Sequence, residues 1–292
     1  MAASAAGLTL GPLPQLRAQT PVQRAEALAR EVGITTSSLD RHVSATGGNG
    51  LIALLDLPKF MRDELDMRLI DLNTRTLGSL EPDHVERLRA AADRAGCAIT
   101  NLKMNQNDLD MNSPDEPTRK RAIDTYKACI DAAARLGARW ARPLPGMTRP
   151  DMQLHVAGYR ELADYGASRK IQMLVENYRW MQTDPGSVAE LIQAIDRDVA
   201  ASPDIGNWSD NSVRYAGLEK TFPLAVTCDF KARELAPNGE HPLYDLRRCF
   251  EIGWKSGFRG PWCLEHAHTD RRTLIRELCL LRDMLRGWMK DL

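Results

Sequence analysis

From about Val32 onward the chain alternates between short apolar runs of strand length and longer segments with apolar residues at helical spacing. Residues 32–36 form the first apolar run. Asp56, just ahead of Pro58, marks the start of a helix through Leu65. Residues 67–72 alternate as a second strand. Val85, Leu88, Ala92 and Ala95 then share one helix face, and Gly96 ends that helix. Residues 97–102 read as the third strand. Pro117 opens a helix with Ile123, Tyr126, Ile130 and Ala133 on one face, and Gly137 closes it. Residues 138–143 form the fourth strand, 155–168 a helix and 171–176 the fifth strand. Asp184-Pro185 is a cap and first turn for a helix bearing Val188, Leu191, Ile192 and Ile195. The sixth strand ends at Asp204, the seventh (224–229) at Asp229 and the eighth (261–265) at Glu265. A last helix follows Asp270, with Leu274, Leu278, Leu281 and Leu285.

Eight such strand–helix units predict an α/β fold, a closed (β/α)8 TIM barrel in a single domain over 25–292. An open doubly wound sheet is the runner-up. It calls for a Gly-x-Gly-x-x-Gly turn after its first strand, and the chain has none. Gly47-Gly48-Asn49-Gly50 lacks the Lys-Ser/Thr of a phosphate loop and reads as a mobile loop over the first strand's end. Residues 1–24 stand apart: 2–20 are small, apolar and almost uncharged, like the second half of an export signal. That reading predicts a periplasmic or exported protein; a plain N-terminal extension on a cytoplasmic protein is the other reading.

The chemistry concentrates where the apolar runs stop. Glu176, Asp204, Asp229 and Glu265 each close a candidate strand. In neighbouring parallel strands the four carboxylates converge, and converging carboxylates need a cation or protons to relieve their repulsion. A barrel places its active site at these ends, where the chain also offers Asp71 and Asn73, Lys103 and Asn105, Arg142, Asn177, Asn207, Lys231, His266 and His268. The two histidines alternate past the eighth strand, so only one points inward. His42 is a minor candidate after the first strand. Trp180, Trp208 and Trp262 either offer a stacking face at a site or pack in the core.

Composition narrows the partners. The 292 residues carry 39 Lys+Arg and 39 Asp+Glu, a formal net charge of zero. Bulk charge therefore drives no association with nucleic acid or with an acidic membrane, and no apolar run is long enough to span one. The six cysteines form no Cys-x-x-Cys pair, which argues against a structural zinc site. They read as small buried apolar residues, with disulfides left open for an exported protein.

With these residues in view, the chain resembles the sugar isomerase/epimerase superfamily, the xylose-isomerase-like TIM barrels, over roughly residues 31–290. The resemblance rests on Leu-Gly-Ala-Arg-Trp-Ala-Arg-Pro-Leu-Pro-Gly (136–146), Val-Glu-Asn (175–177), Asp-Ile-Gly-Asn (204–207), Asp-Phe-Lys (229–231) and Leu-Glu-His (264–266). It implies one divalent metal ion held by Glu176, Asp204, Asp229 and Glu265. Asp229 departs from the family pattern, standing where a His-x-Lys motif has its His. Asn207 likewise stands where the family often has a His. An all-oxygen donor set favours Mn2+ or Mg2+ over Zn2+.

The implied reaction moves a proton beside a keto group through an enediolate, with Glu176 and Glu265 carrying the proton. Lys103, Asn105, Arg142, Asn207, Lys231 and His268 are the candidate substrate-binding residues, with a sugar or keto-sugar as substrate. Lys103, Arg142 or Lys231 would stabilise the oxyanion or bind a carboxylate or phosphate. A lyase or dehydratase is the runner-up, expelling water or a glycosidic leaving group from a keto-sugar or keto-polyol. A sugar-binding protein on an inactive barrel is the third reading. The apurinic endonucleases share the barrel but need many histidines, and six in the whole chain set that reading aside. Homo-oligomerisation is left open.

Overall fold

Strands that are apolar on both faces and separated by amphipathic helices pair in parallel, because only helices on one side and a closed interior on the other bury both faces. A computed structural model describes residues 28–106 and 108–292. The expected extension over 1–24 lies outside the described residues. The barrel strands are β1 (Val32–Thr35), β2 (Leu69–Asn73), β3 (Ala98–Met104), β4 (Trp140–Pro143), β5 (Gln172–Val175), β6 (Val199–Ala201), β7 (Cys228–Lys231) and β8 (Trp262–Glu265). They alternate with α1 (Leu57–Leu65), α2 (Pro82–Ala95), α3 (Glu116–Leu136), α4 (Met152–Ser168), α5 (Ser187–Ile195), α6 (Asn211–Thr221), α7 (Leu246–Lys255) and α8 (Arg271–Asp291).

The strand order is β6-β5-β4-β3-β2-β1-β8-β7, all parallel. Two isolated parallel bridges, Ala201 to Ala225 and Asp204 to Asp229, close the ring between β6 and β7. At that seam the Asp229 N–H donates to Pro203 O at 2.9 Å, and the Ile205 N–H donates to Asp229 O at 3.0 Å. The closed (β/α)8 barrel is therefore the observed architecture.

Helix boundaries follow side-chain chemistry. Asp115, Asp151, Asp210, Asp245 and Asp270 each accept a backbone N–H at the start of α3, α4, α6, α7 and α8. Gly96 and Gly137 end α2 and α3 in the left-handed region, at φ 66° and 76°.

Among the boundaries that differ from the sequence pattern, three have a clear physical reason. The sixth strand stops at Ala201, and Ser202-Pro203 separates it from Asp204; Pro203 has no N–H to continue the ladder. Leu224 belongs to a 3-10 turn, Phe222–Leu224, and β7 runs on to Lys231, so Asp229 lies within its strand. Asp184 and Pro185 form a turn ahead of α5, with Asp184 Oδ1 accepting the Gly186 N–H at 2.8 Å. The Gly47–Gly50 stretch is a turn inside a small parallel ribbon of Val43–Ser44 and Ile52–Ala53, and Arg271 donates to Gly50 O.

Two separate apolar clusters result. The large one fills the layer between sheet and helices. The small one, Leu28, Leu69, Trp140, Leu174 and Ala200, plugs the barrel interior at the N-terminal end of the strands. Two residues further along stand Asp71 of β2, Arg142 of β4 and, just past β5, Glu176. The period of two that points Leu69, Trp140 and Leu174 inward thus points these polar residues inward above the plug. All six cysteines are free, and five of them are buried. No described helix is long and apolar enough to cross a membrane.

Candidate functional site

Above the plug, the strand ends assemble a floor of charge. Glu176 follows directly on β5, and Arg142 of β4 faces it, with Nε 2.7 Å from Oε2. Asn207 donates to Glu176 Oε1 at 3.1 Å. Asp204 is clasped by the residue after Glu176: Asn177 donates to Asp204 O at 2.8 Å and accepts the Asp204 N–H at 2.7 Å. The Asp204 carboxylate accepts the Gly206 N–H at 2.7 Å through Oδ1 and the Lys231 ammonium at 2.8 Å through Oδ2.

Asp229 takes Lys103 of β3 at 2.6 Å, and the same ammonium lies 3.5 Å from Asp71 and 4.0 Å from Glu265. Lys103 also donates to Thr35 Oγ1 at 3.3 Å. Glu265, the last residue of β8, accepts Lys231 at 2.8 Å, as its register pairing across β7 and β8 dictates. Asp71, Lys103, Asp204 and Asp229 are at most 1% exposed, and Glu176 5%. The Glu265 side chain, at 21%, is the more open of the two glutamates.

Five carboxylates (Asp71, Glu176, Asp204, Asp229 and Glu265) meet three cations (Lys103, Arg142 and Lys231). With all groups ionised, two negative charges remain unbalanced. Titration reflects that excess. Burial pushes the Asp204 carboxyl up to about 6 against the pull of Lys231, with Glu265 and Glu176 adding repulsion. Burial likewise raises Asp71 and Asp229, both opposed by Lys103. For Lys103, burial favours loss of the proton but is outweighed by Asp229 and Asp71, so its ammonium persists. For Glu265, burial is outweighed by Lys231 and Lys103, which lower it to about 2. A floor that is ionised at one edge and holds protons at another relieves its excess with protons or with a cation.

The donor set fits a hard divalent ion. Glu176, Asp204 and Asp229 each offer a carboxylate oxygen, and the three oxygens lie within 4.8 Å of one another. Asp229 Oδ2 is buried without a hydrogen-bond partner, and the Arg142 contact to Glu176 Oε2 is not aligned as a hydrogen bond. Both oxygens keep lone pairs for a ligand. All-oxygen donors suit Mg2+ or Mn2+. Glu265 is not part of this trio.

The remaining sequence candidates divide. Lys103, Arg142, Asn207 and Lys231 all touch the carboxylates, as salt-bridge or hydrogen-bond partners. Asn105 stands just past β3; its N–H donates to Thr74 Oγ1 at 2.9 Å, and its Oδ1 is buried without a partner. The His268 ring accepts the Asp270 N–H at 2.9 Å. The His266 ring lies between Ala232 O and Glu277, 2.6 Å from the latter, and His42 meets His268 O at 2.8 Å. Trp262 packs in the helix-side core against Phe222, Phe230, Phe250 and Phe258, away from the site.

Pattern reading misses several supports. Asn101 is buried at β3 beside Asp71 with both amide atoms unpartnered. Tyr244 donates to Lys231 O at 2.6 Å and lies under the Arg214 guanidinium, 3.9 Å away. Gly206 gives the Lys231 stem room: a Cβ there would lie 2.7 Å from Lys231 Cδ. An asparagine directly after Glu176 is a readable signal. Tyr244 and Arg214 sit in loop and helix contexts that carry none.

Comparison with other proteins places the fold among known ones. Among curated protein sequences, none matches the chain. Many solved structures share its fold, the following three among them. A xylose isomerase-like TIM barrel protein from Mycobacterium smegmatis, in complex with magnesium, is 19% identical at a TM-score of 0.65, covering 91% of this chain and 98% of its own. An L-ribulose 3-epimerase is 14% identical at a TM-score of 0.71, covering 90% and 96%. A probable 3-DHS dehydratase involved in petrobactin synthesis, from Bacillus anthracis, is 14% identical at a TM-score of 0.60, covering 89% and 97%. The sequence profile of the xylose isomerase-like TIM barrels matches residues 64–291. With its barrel, its seam of aspartates and a profile match spanning all but the first strand–helix unit, the chain belongs to the xylose isomerase-like TIM barrel family.

Proposed function

We propose that this protein is a metal-dependent enzyme of the isomerase/epimerase type that moves a proton beside the keto group of a sugar or keto-sugar. The observation that carries this reading is the buried trio Glu176, Asp204 and Asp229, whose oxygens lie within 4.8 Å of one another beside the more open Glu265. Glu176, Asp204 and Asp229 would hold one Mn2+ or Mg2+ ion. When bound, such an ion supplies polarisation of the substrate carbonyl.

The protein's own residues do the rest. Glu265, held ionised by Lys231 and Lys103, takes the proton from the carbon next to the carbonyl. Glu176, fixed by Arg142 and Asn207, faces the substrate from β5 and exchanges a proton at the other face. The C–H bond that breaks leaves its electron pair in the C–C double bond of the enediol form. A new C–H bond then forms with inverted or shifted position, so no mass is lost. Lys103 and Lys231 offer positive charge to developing oxygen charge. The lyase reading uses the same two glutamates, with hydroxide or an alkoxide leaving from the adjacent carbon.

The test is incubation with a panel of ketopentoses and ketohexoses in D2O with Mn2+, followed by NMR and mass spectrometry. Deuterium at the carbon beside the carbonyl, in a product of otherwise conserved mass, is the expected result, lost in E176Q and E265Q. A product lacking water or an aglycone assigns the lyase reaction instead. Sugar binding that is insensitive to chelator, without exchange, assigns a binding protein and overturns the enzymatic reading.

A further inference from the structure

We propose that Asp71 is a second seat for the Lys103 ammonium, taken up when a divalent ion binds beside Asp229, and that Asp71 is thereby a positioning residue of the ion site. This rests on the metal-dependent reading above and concerns two residues that serve the ion without binding it.

A bulge in β3 brings Lys103 to the site. Strands β2 and β3 pair Ile70 with Ile99 and then Asp71 with Asn101, so Thr100 is an extra residue on β3. Ala98 packs on the interior plug, and a regular period of two would send Thr100 and Leu102 inward after it. The extra residue shifts that period by one. Asn101 and Lys103 face the interior instead, and Leu102 joins the helix-side core.

From β3 the Lys103 side chain reaches residues of β1, β2 and β7. Its ammonium donates to Asp229 Oδ1 at 2.6 Å and to Thr35 Oγ1 at 3.3 Å, and Asp71 Oδ2 lies 3.5 Å away. Thr35 and Asp71 are register partners on β1 and β2. The hydroxyl that steadies the ammonium near Asp229 therefore lies on the strand beside Asp71. All four residues are at most 1% exposed, so solvent screens little of the charge between them.

Asp71 differs from the other carboxylates of the floor. Glu176 accepts from Asn207, Asp204 from Lys231 and Gly206, Asp229 from Lys103, and Glu265 meets Lys231. Both Asp71 oxygens are buried without a hydrogen-bond partner among the described residues. The Asn101 amide lies beside them without completing a hydrogen bond. A carboxylate buried in this way is costly, and here it adds to a floor with negative charge in excess. A divalent ion makes use of it. An ion bound to Asp229 repels an ammonium that stays on the same carboxylate. A shift of about 1 Å carries Lys103 into charge-assisted hydrogen-bond range of Asp71. Asp71 gains the donor it lacks, and Asp229 no longer divides its charge between the ion and Lys103.

The test is a cycle of D71N, K103M and the pair D71N/K103M. Mn2+ affinity is read by calorimetry and by the EPR signal of free Mn2+, without substrate. In the unsubstituted background D71N leaves Lys103 no second seat, and affinity should fall at least about tenfold. In the K103M background no ammonium has to move, and the same change should cost less than about threefold. The unsubstituted protein gives a second answer should K103M not fold. Crystals grown without Mn2+ should keep Nζ on Asp229 Oδ1, and crystals grown with it should place Nζ within about 3 Å of Asp71 Oδ2.

Equal costs of D71N in the two backgrounds, or an ammonium still on Asp229 in the Mn2+-loaded crystal, overturn the second seat and leave the metal-dependent reading standing. Failure of the unsubstituted protein to bind Mn2+ overturns that reading and this one together.

Discussion

Asp229 and Asp204 lie at the seam of the barrel, and their neighbours decide how they behave. Asn177 fixes the Asp204 backbone through two hydrogen bonds, so the carboxylate is placed before any ligand arrives. Elsewhere on the C-terminal side, His155 at the start of α4 is wholly buried, its Nδ1 2.6 Å from Asn112 Oδ1 and its ring edge-on to Tyr159 and Trp180. Burial lowers its pKa to about 4 from an ordinary 6.5. The unfolded chain therefore binds a proton that the folded one refuses between those values, and stability falls as pH drops from about 6.5 toward 4. Asp204, raised to about 6, acts with the opposite sign: it favours the folded state below the ordinary carboxylate range, and that contribution is lost as pH rises toward 6. The difference between the unsubstituted protein and H155F isolates the histidine. Urea unfolding at a series of pH values should show H155F losing less stability than the unsubstituted protein between pH 7 and 4, by on the order of 3 kcal/mol. Parallel curves would refute the assignment.

At the scale of elements, short strands hold the site because each has one face against helices and the other against the barrel interior. β1 is the tightest case. A Cβ on Gly33 would sit 2.8 Å from Leu69 Cβ and Leu69 O, and 3.3 Å from Cys263 Sγ. Both neighbours are strand residues held by their ladders, so they yield little. G33A is expected to destabilise by about 1–3 kcal/mol, the usual range for overpacking, read from the urea midpoint. Because β1 pairs with both β2 and β8, the same change should also disturb Asp71 and Glu265, and Mn2+ affinity should weaken with stability. An unchanged midpoint would show that the two strands part easily there. Of the aspartates that the sequence offers as helix starts, Asp270 accepts the Thr273 N–H that the helix leaves free, whereas Asp56 makes no such bond and Asp184 serves the turn before its helix. The ends of β6 and β7 were poorly marked. An apolar run that continues through Ser202-Pro203 or begins at Leu224 has the composition of a strand, while the missing N–H of Pro203 and the 3-10 turn at Phe222–Leu224 set the real limits.

For the whole molecule, the excess of negative charge on the floor links ion binding to folding. An ion that binds the folded barrel and not the unfolded chain adds stability by mass action, about 2.7 kcal/mol at a free concentration about 100 times Kd. Thermal unfolding should therefore shift upward with Mn2+, return with EDTA, and shift far less in D204N. A melting temperature indifferent to Mn2+ at every concentration would refute the fit of the trio to a divalent ion.

The sequence by itself determined the eight-unit barrel, because strand and helix periods are local properties of side-chain order. It also determined that acidic and cationic residues gather at the strand ends, since those residues follow the apolar runs directly. Tertiary structure alone decided how they pair: Lys231 with Asp204 and Glu265, Lys103 with Asp229, Arg142 with Glu176. It also turned His266 and His268 to other partners. The physical reason is distance. Which charge meets which depends on register, on barrel closure and on the reach of long side chains between residues as far apart as Lys103 and Asp229, and no local pattern encodes those.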